Sequence, residues 1–300
     1  MTTRQLNPAR VQQRLIHQLC HTADECRVQG QYVKAESLYL RALELAESAV
    51  GPDHTEVSVI CNNLAVLYKY TGKLAEAARL YQRSLEITRR TLGAEHTDVA
   101  AIYHNLGGLE HARGRFAEGE PLARRSVEIR ERALGLDHVD VAADIAALAG
   151  LLDGQGKYEE SEPLYHRVLE IFERAYGPEH YEIAINLNNL AALKQAQGRR
   201  AEAEQLYHRA LAMKEKLLGP EHPDVAMTLN NLAVLLKKNG KLDEAARLYQ
   251  RALAIFGQAL EPEHPKVVTC RENYAHLLKT ISSTKDTKIV SSCNFVSFVD

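Results

Sequence analysis

The amino-acid sequence predicts an all-α fold, an α-solenoid of about six helix pairs followed by a capping helix. Three series of residues, each spaced 42 positions apart, support this prediction. The histidine series comprises His54, His96, His138, His180, His222 and His264. The two glycine series comprise Gly51, Gly93, Gly135, Gly177 and Gly219, with Glu261 in the sixth position, and Gly30, Gly72, Gly114, Gly156, Gly198 and Gly240. A fixed period between about 20 and 50 residues is typical of repeats that bury their apolar faces only against their neighbours.

The repeat that follows His54 shows why each period holds two helices. Apolar residues recur at helical spacing from Val57 to Tyr68, and Gly72 ends this first helix because glycine adopts the left-handed cap conformation at no steric cost. A second run with the same spacing ends before Gly93. We therefore expect two antiparallel helices joined by a short turn in each repeat.

The series also predict how the whole chain is organised. We expect a repeat array over residues 1–280 and a disordered tail over 281–300, because the tail begins with a segment rich in Ser, Thr and Lys. Within the array, helix pairs are expected near residues 8–50, 54–92, 96–134, 138–176, 180–218 and 222–260, and the capping helix at 264–280.

The composition argues against several classes of function. A net charge of −2 and the lack of a basic block argue against nucleic-acid binding. No apolar stretch is long enough to cross a bilayer, and the N-terminal segment lacks the apolar core of a signal peptide, so we expect a cytoplasmic protein. The five cysteines are irregularly spaced, which indicates free thiols in a reducing compartment rather than disulfides or a zinc site.

Each histidine of the series directly follows an acidic residue, as His54 follows Asp53. Metal binding is not expected, because each acid–histidine pair lies in a different repeat and three ligands could not converge on one ion. We expect a structural role instead, with the acid near a helix N-terminus and the ring bracing the turn. No nucleophile–base pairing or phosphate-binding loop occurs elsewhere, so the sequence predicts neither enzymatic activity nor a cofactor.

The repeats resemble the tetratricopeptide repeat, in particular the 42-residue form found in kinesin light chains. The resemblance covers roughly residues 10–280 and rests on strings such as NNLAVLYKYTGKLAEAARLYQRSLEI and LNNLAVLLKKNGKLDEAARLYQRALAI. It implies a right-handed superhelix whose first helices line a concave surface. Residues 1–30 show no sustained heptads like those that bind the motor heavy chain, so we expect a stand-alone repeat protein.

The resemblance also implies a peptide-binding groove on the first helices. In kinesin light chains the asparagines of the NNLA motif hold the backbone of a bound peptide, since an amide offers both a donor and an acceptor. The matching groove residues here are Asn62, Asn63, Val66, Lys69, Tyr70, His104, Asn105, Asn188, Asn189, Gln195, Asn230, Asn231, Val234, Lys237 and Lys238. For the second asparagine of each pair, a bridge to the adjacent helix is the alternative, because buried amides usually bond locally.

We expect this groove to bind an extended peptide segment of another protein, and we expect no membrane partner. Small residues in the third and fourth repeats predict a hollow for an apolar anchor: Ala101, Gly108, Ala112, Ala143, Ala146, Gly150 and Gly154. In the family, lysines at positions such as that of Lys69 receive acidic side chains, although Asp24, Asp153 and Glu272 dilute the positive charge here. A self-associating scaffold and a sensor for a small ligand are the alternatives that the sequence leaves open.

Overall fold

The computed structural model describes the backbone of residues 8–293 and the side chains of residues 10–283. Over this range the chain forms 13 α-helices. In chain order they are α1 (Pro8–Val28), α2 (Tyr32–Val50), α3 (Thr55–Tyr70), α4 (Leu74–Leu92), α5 (Thr97–Ala112), α6 (Phe116–Leu134), α7 (Val139–Gly154), α8 (Tyr158–Tyr176), α9 (Tyr181–Ala196), α10 (Arg200–Leu218), α11 (Pro223–Lys238), α12 (Leu242–Ala259) and α13 (Pro265–Cys293). The chain divides into unit 1, Met1–Ile171, and unit 2, Phe172–Asp300, with the boundary inside α8. Each unit is described by itself.

Within each unit the helices form two layers. Consecutive helices pack in pairs, α1 on α2 and α3 on α4 in unit 1, and α9 on α10 and α11 on α12 in unit 2. The odd-numbered helices also contact one another, because α5 touches α3 and α7, and α11 touches α9 and α13. We call the exposed side of these odd-numbered helices the odd-helix face. This arrangement confirms the all-α repeat fold that the 42-residue period predicts.

A recurring tyrosine fills the space between the two helices of most pairs. The five tyrosines of this series are at most 2% exposed, and they are Tyr39, Tyr81, Tyr165, Tyr207 and Tyr249. The third pair departs from the pattern, because Ala123 stands at the tyrosine position. A Cβ atom placed on Gly107 of α5 would lie only 3.6 Å from Cβ of Ala123 on α6. The two helices of this pair therefore approach each other closely without a large side chain between them.

The link between two repeats explains the first glycine series. Gly93 has φ 90° and ψ 158°, a backbone conformation that residues with a side chain essentially never adopt. The sixth link has Glu261 at the equivalent position, and it folds differently: α12 ends at Ala259, and Leu260 is extended, with φ −134° and ψ 149°. The link that has Glu261 in place of the glycine thus adopts a different backbone conformation from the other links.

The histidine series caps helices. His54, His96, His138, His180, His222 and His264 each accept, through Nδ1, a hydrogen bond of 3.1–3.3 Å from the backbone N–H two residues on. Such a bond satisfies one of the donors that the first turn of a helix leaves free. The geometry therefore gives these histidines the turn-bracing role that the sequence predicts.

The cap at His264 is expected to fail on acidification, because only a neutral ring can accept at Nδ1. Burial, and after it the Lys266 ammonium group, lowers the pKa of His264. A folded-state pKa below the ordinary value of about 6.5 means that the cap stabilises α13 above this pH and is lost as the pH falls. Lowering the pH from about 7.5 to about 5 should cost about 1 kcal/mol of unfolding free energy, measured by urea titration.

Two variants separate this effect from general acid destabilisation. His264→Asn keeps a capping oxygen that does not titrate, so it should lose less stability over the same pH range. His96→Asn is the matched control, because it makes the same substitution at a cap that Asp98 follows, whereas Lys266 follows His264. Equal pH dependence in the wild type and His264→Asn would contradict the prediction.

The last helix is longer than the sequence predicts. α13 continues past residue 280, the expected end of the capping helix, to Cys293. No glycine or proline follows Pro265, so the sequence lacks the residues that usually stop a helix. The remainder of the predicted disordered tail, 294–300, lies outside the described residues.

Candidate functional site

The residues of the predicted groove lie on four odd-numbered helices. In unit 1 they belong to α3 and α5, and in unit 2 to α9 and α11. Most of their side chains are half-buried, whereas Tyr70 and Lys238 are exposed. Val66 and Val234 pack against the buried apolar clusters of unit 1 and unit 2, respectively. Each unit therefore presents its own set of amides and cations on the odd-helix face.

In unit 1 the asparagines bond to one another between repeats. Nδ2 of Asn105 donates to Oδ1 of Asn62 over 2.9 Å, which joins α5 to α3. Nδ2 of Asn62 in turn donates to Oδ1 of Asn63 over 3.2 Å. Asn105, at the second position of the pair on α5, thus forms a bridge to the adjacent helix, which is the alternative role expected for this position.

Unit 2 repeats this arrangement across three helices. Nδ2 of Asn231 donates to Oδ1 of Asn188 over 3.4 Å, and Nδ2 of Asn273 donates to Oδ1 of Asn230 over 3.1 Å. Nδ2 of Asn230 donates to Oδ1 of Asn231 over 3.2 Å. Asn273 belongs to the same 42-residue series but is absent from the predicted groove. Asn189 makes no side-chain hydrogen bond within the part of the chain that the structure describes.

These bonds leave part of each amide free. An asparagine side chain carries two N–H donors and two acceptor lone pairs. Asn62 and Asn230 each use one donor and one lone pair in the bonds just described. One donor and one lone pair on each therefore remain for another molecule at the odd-helix face.

His104 contacts a buried carboxylate that is not among the predicted groove residues. Nδ1 of His104 lies 2.8 Å from Oδ1 of Asp144 on α7, and because a carboxylate only accepts, the ring donates. Nη1 of Arg130 on α6 donates to the same oxygen over 3.0 Å. Asp144 is fully buried, and its Oδ2 has no hydrogen-bond partner among the described residues. Asp144 occupies the position that Ile102 holds one repeat earlier, so only a comparison of repeats reveals it.

Lys69 contributes an unpaired ammonium group to the face of unit 1. Its Nζ lies 3.4 Å from the position that a Cβ atom would take on Gly108 of α5. Burial lowers the pKa of this ammonium group, and within the described residues it makes no hydrogen bond or ion pair. In unit 2, Lys237 is half-buried, and Oε1 of Gln195 is buried without a described hydrogen-bond partner.

The small residues of the third and fourth repeats are partly covered by the chain itself. Atoms of the Phe116 ring lie 2.5–2.7 Å from the position that a Cβ atom would take on Gly154, so this ring fills the space there. Phe116 also meets the ring of His111 edge to face, with the ring centroids 5.2 Å apart. Nζ of Lys69 lies next to Gly108 in a similar way. Side chains of unit 1 therefore occupy the expected hollow at Gly108 and at Gly154.

Unit 2 holds an apolar cup of about 270 Å³ beside its asparagines. It is lined by Met227, Asn230, Asn231, Phe256, Pro265, Lys266 and Thr269. Pockets for drug-sized ligands and cofactors measure about 300–1,000 Å³. The cup is smaller than this range and suits one or two side chains.

Within residues 10–283, no group of three or more His, Cys, Asp or Glu side chains is placed to hold a metal ion. None of the helices that the structure describes combines the length and the apolar character needed to span a bilayer.

Comparisons with known proteins identify relatives of this fold. The sequence profile described as "Tetratricopeptide repeat" matches six times, at residues 23–90, 59–116, 98–160, 141–216, 182–257 and 224–285. No curated protein matches the sequence.

Several solved structures are similar to this chain. BtubC (BKLC) from P. vanneervenii is 24% identical over 82% of this chain and 91% of its own, with a TM-score of 0.57. The nearly identical TPR-like repeats of a Podospora anserina protein described as a kinesin light chain are 28% identical over 68% of this chain and 97% of their own, with a TM-score of 0.54. A Rap protein complexed with Competence and Sporulation Factor is 15% identical over 91% of this chain and 78% of its own, with a TM-score of 0.62.

Proposed function

The chain belongs to the tetratricopeptide repeat family, whose repeats are protein–protein interaction modules, and from this premise we propose that it binds an extended peptide segment of a partner protein along the odd-helix face. The proposed role is that of a non-enzymatic adaptor or scaffold, and we propose a cytoplasmic location. The Rap protein, which was solved in complex with Competence and Sporulation Factor, is a relative in fold that holds a partner.

The spare donors and lone pairs of the asparagines carry this proposal. An extended backbone offers one N–H and one C=O per residue, and the free half of each amide matches that pair. Asn62 and Asn105 supply such groups in unit 1, and Asn188 and Asn230 supply them in unit 2. Because the bonds between asparagines fix the side chains before a peptide arrives, little conformational entropy is lost on binding.

The apolar cup supports an anchoring side chain in unit 2. Met227 and Phe256 provide apolar walls, and Asn230 and Asn231 stand at its edge. A peptide whose backbone meets these amides would place a neighbouring apolar side chain in the cup. Lys266 lines the same cup and would favour an acidic residue next to the anchor.

Removing two amides from one unit is expected to weaken peptide binding about 10-fold to 100-fold, because each lost hydrogen bond contributes about 0.5–1.5 kcal/mol. The probes are peptides of about 12 residues, selected from a displayed random library on the wild-type protein. Fluorescence anisotropy then compares the wild type with Asn62→Ala/Asn105→Ala in unit 1 and with Asn188→Ala/Asn230→Ala in unit 2. A given peptide should lose affinity in one of the two variants.

The matched control is Gln205→Ala/Gln258→Ala, which removes two exposed amides from even-numbered helices. Circular dichroism confirms that all the variants remain folded. Peptides that bind both asparagine variants as tightly as the wild type would place the binding surface elsewhere and refute the proposal.

A further inference from the structure

Gly150 of α7 leaves a small space on the odd-helix face of unit 1, which we call the Gly150 niche. The hydroxyl oxygen of Tyr165 lies 3.7 Å, and Nε2 of His111 lies 3.8 Å, from the position that a Cβ atom would take on residue 150. Both distances are ordinary van der Waals contacts for a carbon atom. Two polar atoms from different helices, α5 and α8, therefore border the same point.

The Tyr165 hydroxyl has no hydrogen-bond partner among the described residues. The side chain is 2% exposed. Burial, and after it the charge of Asp153, raises the pKa of Tyr165, so the phenol remains a protonated donor. A phenol donor that has no acceptor within the protein is available to another molecule that supplies one.

The first repeat shows the same phenol with its acceptor in place. Gly150 and Tyr165 lie three periods of 42 residues after Asp24 and Tyr39. In that repeat the hydroxyl of Tyr39 donates to Oδ1 of Asp24 over 2.6 Å, and Nη2 of Arg27 lies 3.4 Å from the same oxygen. The fourth repeat thus keeps the phenol but replaces the carboxylate by a glycine.

We propose that the Gly150 niche binds a carboxylate of the guest peptide, which accepts from the Tyr165 hydroxyl as Asp24 accepts from Tyr39. This inference rests on the proposed function, because it assumes that a peptide lies along the odd-helix face. It assigns a specific subsite and a specific chemical group to unit 1. The guest carboxylate replaces the bulky apolar anchor that the sequence predicts for the small residues of this region.

The charges around the niche come from three helices. Lys69 of α3 carries the unpaired ammonium group described above, and it lies close enough to His111 to lower the pKa of that ring together with burial. Asp153, one turn beyond Gly150 on α7, opposes a guest carboxylate. Burial raises the pKa of the Asp153 carboxyl group, which weakens this opposition. The lysine and the phenol then favour an anion at the niche.

A first experiment tests the geometry without any guest. Gly150→Asp installs a carboxylate where Asp24 stands in the first repeat, and Gly150→Ala fills the niche with a methyl group. The melting temperature of each is measured with Tyr165 and again in a Tyr165→Phe background. The advantage of Asp over Ala should be about 2–4 °C larger when the phenol is present. An equal advantage in both backgrounds overturns the proposal, because effects of Lys69, His111 and helix propensity cancel in this comparison.

A second experiment tests the guest. Among the library-selected peptides, those that lose affinity in Asn62→Ala/Asn105→Ala should bind Gly150→Asp at least about 10-fold more weakly than Gly150→Ala. Replacing their acidic residues by the corresponding amides should cause a similar loss. Asp153→Asn should tighten the binding of these peptides. Weaker binding to Asp153→Asn would indicate a guest that binds through a cation, and it would overturn the proposal.

Three further outcomes would also overturn it. If peptides lose affinity in Asn62→Ala/Asn105→Ala but bind Gly150→Asp as tightly as Gly150→Ala, the niche is not a binding site, and the proposed function remains intact. If no selected peptide loses affinity in Asn62→Ala/Asn105→Ala, the niche in unit 1 is likewise refuted, and binding to unit 2 can still support the proposed function. The melting temperatures of the wild type and of Gly150→Asp are also compared between sodium acetate and sodium chloride. If acetate raises the melting temperature of the wild type but not of Gly150→Asp, the ligand of the niche is a free carboxylate rather than a peptide.

Discussion

Replacing Arg130 by alanine is expected to lower the free energy of unfolding by about 3–5 kcal/mol. Nη1 of Arg130 lies 3.0 Å from Oδ1 of Asp144, a residue whose side chain is fully buried. Without the guanidinium group, the ring of His104 is the one side-chain partner that the described residues leave to this carboxylate. The cost is large because an uncompensated charge remains in an environment of low dielectric constant.

Replacing both partners of the ion pair should remove most of this cost. The preceding repeat places Thr88 and Ile102 at the equivalent positions, and each is only 4% exposed. The double variant Arg130→Thr/Asp144→Ile copies that pair. Buried ion pairs that are exchanged for packed neutral residues often leave stability unchanged, so we expect the double variant to lie within about 1 kcal/mol of the wild type.

Urea unfolding followed by circular dichroism measures all three proteins. The argument requires the double variant to be more stable than Arg130→Ala. If the two variants were equally unstable, the cost would come from the lost packing of the Arg130 side chain, and the isolated charge would not be its cause.

Phe256→Ala is expected to destabilise unit 2 by about 3–5 kcal/mol, because it removes a large side chain from a packed core. Phe256 is 1% exposed and belongs to the same buried cluster as Val267 and Cys270 of α13. The substitution should therefore loosen α13 in particular. Hydrogen exchange is expected to show faster exchange over 265–281, and the apolar cup should lose its wall.

Leu278→Ala is the matched control on the same helix. Leu278 is 47% exposed, and its truncation should change stability by no more than about 0.5 kcal/mol. If residues 265–281 exchanged at wild-type rates in Phe256→Ala, α13 would not depend on this core, and the prediction would fail.

The fold could be predicted from the sequence because every repeat restates the same physical requirements. His54 and Gly93 cap and break helices for local reasons, so their recurrence defines helices without any knowledge of tertiary contacts. The end of α13 was less predictable, since polarity indicated disorder from residue 281, whereas the absence of glycine and proline after Pro265 permits a longer helix. The effect of Glu261 was also hidden, because the sequence does not show where the preceding helix will stop.

The candidate site was only partly predictable. The period identified which asparagines share a face, but the bond from Asn105 to Asn62 depends on rotamers chosen in two different repeats. The same limit applies to the space next to Gly154, which the sequence predicts to be open. The ring of Phe116, 38 residues earlier in the chain, covers it. Asp144 escaped notice because the equivalent positions of the neighbouring repeats, Ile102 and Asn186, hold no acidic residue.

The described asparagine bonds that run between repeats join positions 43 residues apart, as in Asn62 to Asn105 and Asn230 to Asn273. This offset is one period plus one residue, so each bond reaches from one repeat into the next. Duplicating or excising 42 residues within a run of NN repeats would consequently restore the same pairing at the new junction. A gene encoding such a protein could lengthen or shorten by unequal recombination while the amide surface stays continuous.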